Sequence, residues 1–447
     1  MSFVDGSVVN VALPVMQRSL TTSFGTLQWV VNGYMLTFAS LILLGGSAGD
    51  RFGRRRIFMI GLGIFALASL ACGVAPSAPW LVAARLAQGA GAALLTPTSL
   101  AIIGSAYSGK DRGVALGTWA AAGALTTALG PPLGGWLVDT IGWRSIFFLN
   151  LPIAAAALLF ALNLPSDGAI NRSEALDGSG AVLAVLSLGL LSYGLNALGA
   201  GTLFGGAVAL ISAVLAIWIF IRHESRARSP MMPPSLFREL TFSGANALTV
   251  LLYAALGGAM FLLPFLLIHV HGYSATAAGA AFLPFSAILG LGSRWSGRLV
   301  NRFGARLPLT IGPTVTAAGF AILASSSSNP SYWSGVLPGL TVVSIGMTIT
   351  IAPLTTTVFD SAPDEKSGTA SGINNAAART GSLVAIAALG LAFDAGSSPD
   401  LGGSALVSAY RLAMIAAAVL AALSAVTAAL TINARKAPHA TSRNSRI

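Results

Sequence analysis

Two charged side chains stand inside apolar stretches of the sequence, where ionised groups are rare. Asp5 precedes an apolar run that contains Asn10, and Arg85 lies in another such run, three residues before Gln88. An ion within a membrane segment is costly unless it is paired, hydrated or neutralised. Because burial disfavours the charged form of a carboxyl, Asp5 could take up and release a proton, and Asn10 could bind a polar ligand. Gln88 shares a helical face with Arg85.

Both charged residues also have a structural interpretation. Asp5 could lie among lipid headgroups at a frayed terminus, and Arg85 could be tied to backbone carbonyl groups. Asn374, Asn375 and Arg379 lie in a later apolar run, and they could line a cavity together with Asn10 and Gln88. The predicted cavity residues are Asn10, Gln88, Asn374, Asn375 and Arg379.

The most specific local pattern is a loop of glycines, one aspartate and a run of arginines. Glycine permits a tight turn, and an aspartate at a helix end can pair with nearby arginines or face a neighbouring helix N-terminus. Such a cluster could latch two helices in one conformation and release them in another. A topology signal made of surface charge would explain the arginines, but neither the glycines nor the aspartate. The predicted gating residues are Gly46, Asp50, Arg51, Gly53, Arg54 and Arg55.

A Gly-Pro motif ends a later apolar run and consists of Gly130, Pro131, Gly134 and Gly135. Proline kinks a helix and glycines allow close helix packing, so the motif could shape or seal a path. A plain kink is the alternative. Beyond the motif, Asp139 and Arg144 are expected to pair at the surface.

The composition places these residues in a membrane protein. Of 447 residues, 55% are hydrophobic and 9% are charged, whereas a soluble globular protein is about 25% charged. The net charge of +11 would suggest nucleic acid binding in a soluble domain, but here the bases gather in short loops, so no nucleic acid partner is expected. Four histidines without ligand spacing and the single Cys72 predict no metal site and no disulfide.

A spanning helix needs about 20 mostly apolar residues, and the sequence predicts fourteen of them. The first, from Met1 to Gln17, reaches only about 25 Å as a helix, so it is expected to be truncated or to begin before Met1. The predicted spans are 1–17, 27–49, 57–76, 79–106, 113–138, 144–163, 178–199, 202–221, 243–270, 276–299, 307–326, 332–359, 368–396 and 405–432.

Most basic residues then fall on one side, which places both termini in the cytoplasm. An internal repeat relates the loop from Asp50 to Arg55 to the loop from Asn301 to Arg306, each between two spans on the basic side. Two repeated halves with a site between them are a common transporter plan. The predicted domains are an N-terminal six-helix bundle (1–165), two additional helices with a connection (166–235), a C-terminal six-helix bundle (236–434) and a cytoplasmic tail (435–447).

Together these motifs resemble the major facilitator superfamily, and most closely its fourteen-helix drug:proton antiporter branch. The segment Gly46–Arg55 is similar to the loop signature G-x-L-A-D-R-x-G-R-[KR], with Gly49 for alanine, and Arg85–Ala93 matches R-x-x-Q-G-x-G-A-A. Further similarities lie in Asp5–Pro14, with Ser7 for threonine, in Gly130–Gly135, with Thr126 for an upstream glycine, and in Trp143–Pro152.

The resemblance implies an all-α membrane protein with two six-helix bundles related by pseudo-two-fold symmetry and two extra transmembrane helices. It also implies roles. Asp5 would bind a proton or cation, Arg85 would assist proton coupling, and Asp50 with Arg54 and Arg55 would gate the conformational change.

The expected function is secondary active export, by alternating access, of drug-like or other small apolar or cationic molecules in exchange for protons. The proton is the coupling ion and no cofactor is expected. A monomer in the inner membrane of a bacterium is predicted. The alternatives are export of one metabolite or host-made antibiotic, a membrane-embedded enzyme, and a sensor that transports nothing.

Overall fold

The computed structural model describes residues 1–164, 176–393 and 403–433. Within these ranges the regular elements are α-helices and short 3-10 and π turns. Nine helices precede residue 225: α1 (Ser2–Leu20), α2 (Phe24–Phe52), α3 (Arg54–Gly73), α4 (Ala78–Ala106), α5 (Gly109–Thr140), α6 (Ser145–Phe148), α7 (Asn150–Leu162), α8 (Gly178–Gly199) and α9 (Leu203–Glu224). The later helices are α10 (Leu240–Phe265), α11 (Ala275–Ala280), α12 (Leu283–Phe303), α13 (Arg306–Ser325), α14 (Leu337–Asp360), α15 (Ser367–Ala388) and α16 (Ser404–Thr431).

Twelve helical segments of the described residues are long and apolar enough to cross a membrane. Five of these segments join a helix to a short turn or to a neighbouring helix: Ser145–Leu162, Leu240–Val270, Ala275–Gly292, Tyr332–Asp360 and Ser367–Ala392. Helices α1 and α5 are not among these twelve segments. The protein is therefore an all-helical membrane protein with about twelve spans, and spanning by α1 and α5 stays a prediction.

Small residues bring the helices of each half together. In the N-terminal half α4 packs against both α2 and α3. A Cβ added at Gly45 would overlap the Ala93 carbonyl oxygen, and one at Gly91 would meet the Phe65 backbone. In the C-terminal half α13 packs against α14 and α16, and glycines make the α13–α14 approach equally close. Close backbone approach of this kind is how membrane helices gain packing contacts without a hydrophobic driving force.

The repeated loops share one backbone feature. Gly53 lies between α2 and α3 with φ of +101°, and Gly304 lies between α12 and α13 with φ of +73°. Only glycine adopts such angles without steric cost, so the two loops use the same residue type to reverse the chain. The side of the molecule that carries these loops is called the basic side below.

Contacts between the halves run along two seams. Helix α2 packs against α15, and α5 packs against α11 and α12. The additional hairpin of α8 and α9 lies at the first seam, because α8 contacts both α2 and α15. The predicted domain boundaries stay predictions, and the predicted tail (435–447) lies outside the described residues.

A polar cluster closes the basic end of the α8–α9 hairpin. The carboxylate of Asp177 accepts hydrogen bonds from Gly180 N at 2.7 Å and from His223 Nε2 at 2.8 Å. Burial alone would raise the pKa of Asp177, but these hydrogen bonds outweigh it and hold the pKa below its ordinary value. Glu224 beside them accepts from Met232 N at 2.9 Å, which ties the hairpin to the following segment.

Candidate functional site

The two charged residues singled out in the sequence form a buried ion pair. Asp5 lies in the first turn of α1 and Arg85 lies in α4, and each side chain is 1% exposed. Arg85 Nη1 is 2.5 Å from Asp5 Oδ2, and Arg85 Nε donates to the Val30 carbonyl oxygen at 3.0 Å. The Arg85 guanidinium also lies over the ring of Tyr34, 4.3 Å from its centroid. The cost of burying Arg85 is thus offset by a carboxylate, a carbonyl and an aromatic face.

Amide side chains complete the shell around Asp5. Gln88 Nε2 donates to Asp5 Oδ1 at 2.9 Å, and Gln88 Oε1 accepts from Arg85 Nη1 at 2.7 Å. Asn150 Nδ2, at the first position of α7, donates to the same Asp5 oxygen at 3.2 Å. Ser69 Oγ accepts from both amides and donates to the Phe147 carbonyl oxygen. Helices α4 and α7 therefore hold the Asp5 carboxylate directly, and Ser69 of α3 holds the two amide side chains.

The groups around Asp5 are mainly hydrogen-bond donors. Three nitrogen donors from Arg85, Gln88 and Asn150 converge on its two oxygens. A proton added to either oxygen occupies an acceptor site and removes the charge that balances Arg85.

A second site is a cavity of about 210 Å³ between the two halves. Its walls come from α1 and α5 on one side and from α10, α12 and α15 on the other. It is smaller than the roughly 300–1,000 Å³ of most small-molecule sites, so it fits a compact ligand. The lining residues are Ser2, Gly6, Ser7, Asn10, Val11, Thr127, Pro131, Leu256, Met260, Phe282, Phe285, Ser286 and Arg379.

The predicted cavity residues divide into two groups. Asn10 and Arg379 line this cavity. Gln88 instead belongs to the shell of the ion pair. Asn374 Nδ2 donates to Thr249 Oγ1 at 2.7 Å and so joins α15 to α10. Asn375 is exposed and donates to the backbone one turn earlier.

A larger groove of about 1280 Å³ lies at the basic side. It is lined only by C-terminal segments near helix ends, including Arg238, Asp360 and Lys366, and does not reach the other half. A ligand that crosses the membrane must pass between the halves, so the smaller cavity is the candidate site.

In the predicted gating loop, Asp50 pairs within its own loop. Arg54 Nη2 lies 2.8 Å from Asp50 Oδ1, and both side chains are about half exposed. Arg54 Nη1 also donates to the Ala101 carbonyl oxygen, and Arg55 Nη2 donates to the Leu162 carbonyl oxygen. The arginines thus connect the α2–α3 turn to the ends of α4 and α7. Their role in gating stays a prediction.

The Gly-Pro motif makes two close helix contacts. A Cβ at Gly130 would overlap Ser7 Oγ of α1, and one at Gly134 would press on Val8. On another face, a Cβ at Gly135 would overlap the Ala275 carbonyl oxygen at the start of α11. Reciprocally, Gly279 of α11 faces the Pro131 carbonyl oxygen. The motif therefore packs α5 against α1 in the N-terminal half and against α11 in the C-terminal half.

Asp139 adds a polar contact to the α5–α11 seam, on the side opposite the basic loops. Its carboxylate accepts from Thr276 N at 2.7 Å, from Thr276 Oγ1 at 2.6 Å and from Ala275 N at 3.2 Å. The expected surface pair of Asp139 with Arg144 is wrong, because Arg144 donates to the Ala75 carbonyl oxygen and lies over Trp143. The first backbone N–H groups of α11 have no acceptor within their own helix, and the Asp139 carboxylate supplies one.

Sequence reasoning did not assign roles to Asn150, Ser69 or Tyr34 in the ion-pair shell. Asn150 and Ser69 are small polar residues that could equally have faced a backbone carbonyl. The available signal was Asn150 within the Trp143–Pro152 similarity, the only amide side chain in that segment.

A helical membrane protein with a buried ion pair in one half and a cavity between the halves has the architecture of a transporter. The sequence model of the Major Facilitator Superfamily matches residues 1–386 of the chain. The chain belongs to this superfamily, whose members are transporters rather than enzymes.

Similar proteins come from bacteria. The chain is 38% identical to multidrug resistance protein Stp of Mycobacterium tuberculosis over 396 residues, 87% of this chain and 73% of that protein. It is 36% identical to the methylenomycin A resistance protein of Streptomyces coelicolor over 421 residues, 93% of this chain and 88% of that protein. The crystal structure of a D-xylose-proton symporter shares the fold, with a TM-score of 0.68 at 14% identity, covering 97% of this chain and 95% of that one.

Proposed function

We propose that this protein is a secondary active exporter that moves small drug-like molecules out of the cell in exchange for protons. The observation that carries the proposal is the buried Asp5–Arg85 ion pair, because a proton bound to the carboxylate would remove the charge that balances Arg85. The names of its relatives, which include a multidrug resistance protein and an antibiotic resistance protein, support export of such molecules.

The ion pair and the cavity are joined by a line of ring contacts, which supports coupling between them. Arg85 lies over Tyr34, Tyr34 contacts Phe38 with ring centroids 5.7 Å apart, and Arg379 lies 4.5 Å from the centroid of Phe38. When Asp5 takes up a proton, Arg85 loses its counter-charge, and its guanidinium moves relative to the ring of Tyr34. Phe38 and the cavity residue Arg379 that lies over it then respond to the proton.

In alternating access, the contacts between the two halves would open at one side of the membrane while they close at the other. The α5–α11 contacts hold the side opposite the basic loops closed, whereas Asp50 forms its ion pair with Arg54 of its own loop. This combination supports a state that is open toward the basic side. The basic side is the cytoplasmic one in this proposal, as the positive-inside rule requires.

The finer architecture belongs to the same proposal. Helices α1 and α5 also cross the membrane, which makes fourteen spans with both termini in the cytoplasm. The protein acts as a monomer in the inner membrane of a bacterium.

A second candidate is export of one metabolite or host-made antibiotic. The cavity of about 210 Å³ favours it, because a compact cavity discriminates by size more strictly than a wide one.

The test uses everted membrane vesicles from a host that lacks its own pumps and expresses this chain. Respiration acidifies the vesicle lumen, and a transported compound should release protons and collapse the pH gradient. A panel of antibiotics and dyes separates the candidates: several unrelated responders support a multidrug pump, and a single responder supports a specific exporter. If compounds accumulate in the lumen without any proton release, coupling to protons is wrong.

A further inference from the structure

Of the described residues that line the cavity between the halves, Arg379 is the only charged one, and it lies near the middle of α15. Among the described residues no carboxylate forms an ion pair with it. Its guanidinium instead lies over the ring of Phe38. An arginine at this depth is costly unless a partner or ligand compensates its charge.

The nearby acid does not supply that compensation. Asp5 stands between the lining residues Ser2 and Gly6 in the sequence, yet its side chain is 1% exposed and does not line the cavity. Its charge is already balanced by Arg85, with which it forms a neutral pair. The cavity therefore carries the positive charge of Arg379.

The remaining wall fits an apolar body with a polar edge. Phe282, Phe285, Leu256 and Met260 form an apolar surface from the C-terminal half. On the opposite wall Asn10 contributes an amide whose Oδ1 is buried without a hydrogen-bond partner. Asn10 can turn its amide to donate to a ligand, since its oxygen and nitrogen are interchangeable in shape.

We propose that the cavity binds a compact apolar molecule that carries a carboxylate, with the carboxylate held by Arg379 and assisted by Asn10. The inference rests on the proposed export function and assigns its substrate class. A planar guanidinium presents parallel N–H donors that match the two oxygens of a carboxylate. A cationic drug would instead meet an uncompensated positive charge, so the cavity disfavours it.

The test measures binding to the purified full chain in detergent, with no gradient present. Three probes share one ring system: naphthalene carboxylate, its methyl ester and a naphthalene bearing a trimethylammonium group. Wild type should bind the carboxylate at least tenfold more tightly than the ester, and the ammonium compound more weakly than the ester.

Arg379→Gln should weaken carboxylate binding by roughly 10–100-fold, as expected for loss of a charge-assisted bidentate contact. Ester binding should change less than about twofold, which also shows that the variant is folded. Arg379→Lys should retain a large part of the preference. Arg411→Gln, the same substitution at an exposed position of α16, is the matched control and should leave all three affinities unchanged.

Tightest binding of the ammonium probe, or carboxylate binding that Arg379→Gln leaves unchanged, would overturn the inference. Failure of the proposed function looks different. If the carboxylate binds selectively but a proton gradient moves none of the probes into everted vesicles, export is wrong and the cavity assignment stands. If a gradient moves the ammonium probe and the carboxylate does not bind, the cavity assignment is wrong and export stands.

Discussion

The side-chain amide of Asn150 donates a hydrogen bond of 3.2 Å to the carboxylate of Asp5, which lies 145 residues earlier in the chain. Asn150 also donates to Ser69 Oγ at 3.0 Å, so one amide joins α1, α3 and α7 around the charge. Removing it leaves Asp5 with fewer donors and Ser69 with a weaker anchor.

Asn150→Leu keeps the approximate volume and removes both hydrogen bonds. A hydrogen bond to a charged group contributes about 1.5–3 kcal/mol, so the ionised form of Asp5 loses support. We expect the pH profile of proton-coupled export to move toward higher pH and the rate to fall about tenfold. The control is Asn163→Leu at the exposed end of α7, and an Asn150→Leu profile that matches this control would remove Asn150 from the mechanism.

Asp5→Asn preserves the shape of the side chain and abolishes its charge. Arg85 keeps the Val30 carbonyl and the Tyr34 ring, so we expect a folded protein that is less stable by at most roughly 3–5 kcal/mol. Proton release on substrate addition should disappear because no carboxylate remains to bind the proton. Thermal unfolding and vesicle pH measurements check the two statements, with exposed Asp111→Asn as control. Full proton-coupled export by Asp5→Asn would exclude this residue as the coupling acid.

Asp139→Ala removes the carboxylate that holds the start of α11 to the end of α5. Because three donors lose their acceptor, the seam should open more often on the side opposite the basic loops. A reporter cysteine, Asn10→Cys in a Cys72→Ser background, measures this opening by labelling with a membrane-impermeant thiol reagent. A net loss of about 1–2 kcal/mol corresponds to roughly 5–30-fold faster labelling from that side. The exposed Asp360→Ala is the control, and equal labelling rates in the two variants would show that Asp139 does not hold the seam.

The charge of the substrate determines the electrical signature of export. Exchange of one proton for one monovalent carboxylate moves two positive charges inward, whereas exchange for one monovalent cation moves none. With about 2.3 kcal/mol per charge for each 100 mV, an inside-negative potential should strongly drive carboxylate export even without a pH gradient. Potassium gradients with valinomycin in proteoliposomes test this, and carboxylate transport that ignores the potential would contradict a one-for-one exchange.

Several parts of the site were predictable because they depend on local chemistry. Asp5 and Arg85 are charged residues in apolar runs, so each needed a partner, and Gln88 shares a helical face with Arg85. The positive φ at Gly53 and Gly304 follows from tight turns between consecutive helices. These features require only the neighbouring sequence and the cost of charge in lipid.

Other parts depend on how each helix is rotated about its axis. Asn374 and Arg379 lie five residues apart in one helix, yet Asn374 joins α15 to α10 while Arg379 lines the cavity. In a membrane both faces of such a helix are apolar, so the hydrophobic pattern does not reveal which face meets the cavity. The same limit explains why Asp139 was assigned to Arg144 instead of Thr276.

The sequence by itself determined the class of molecule: membrane helices, a repeated loop, and two buried charges that had to be compensated. The tertiary structure decided which charges compensate each other. Asp5 and Arg85 neutralise one another through α1 and α4, and Arg379 is left to line the cavity. This division of the charges arises from contacts between helices that are far apart in the chain. In our proposals it assigns the proton to the Asp5–Arg85 pair and a negatively charged substrate to the cavity lined by Arg379.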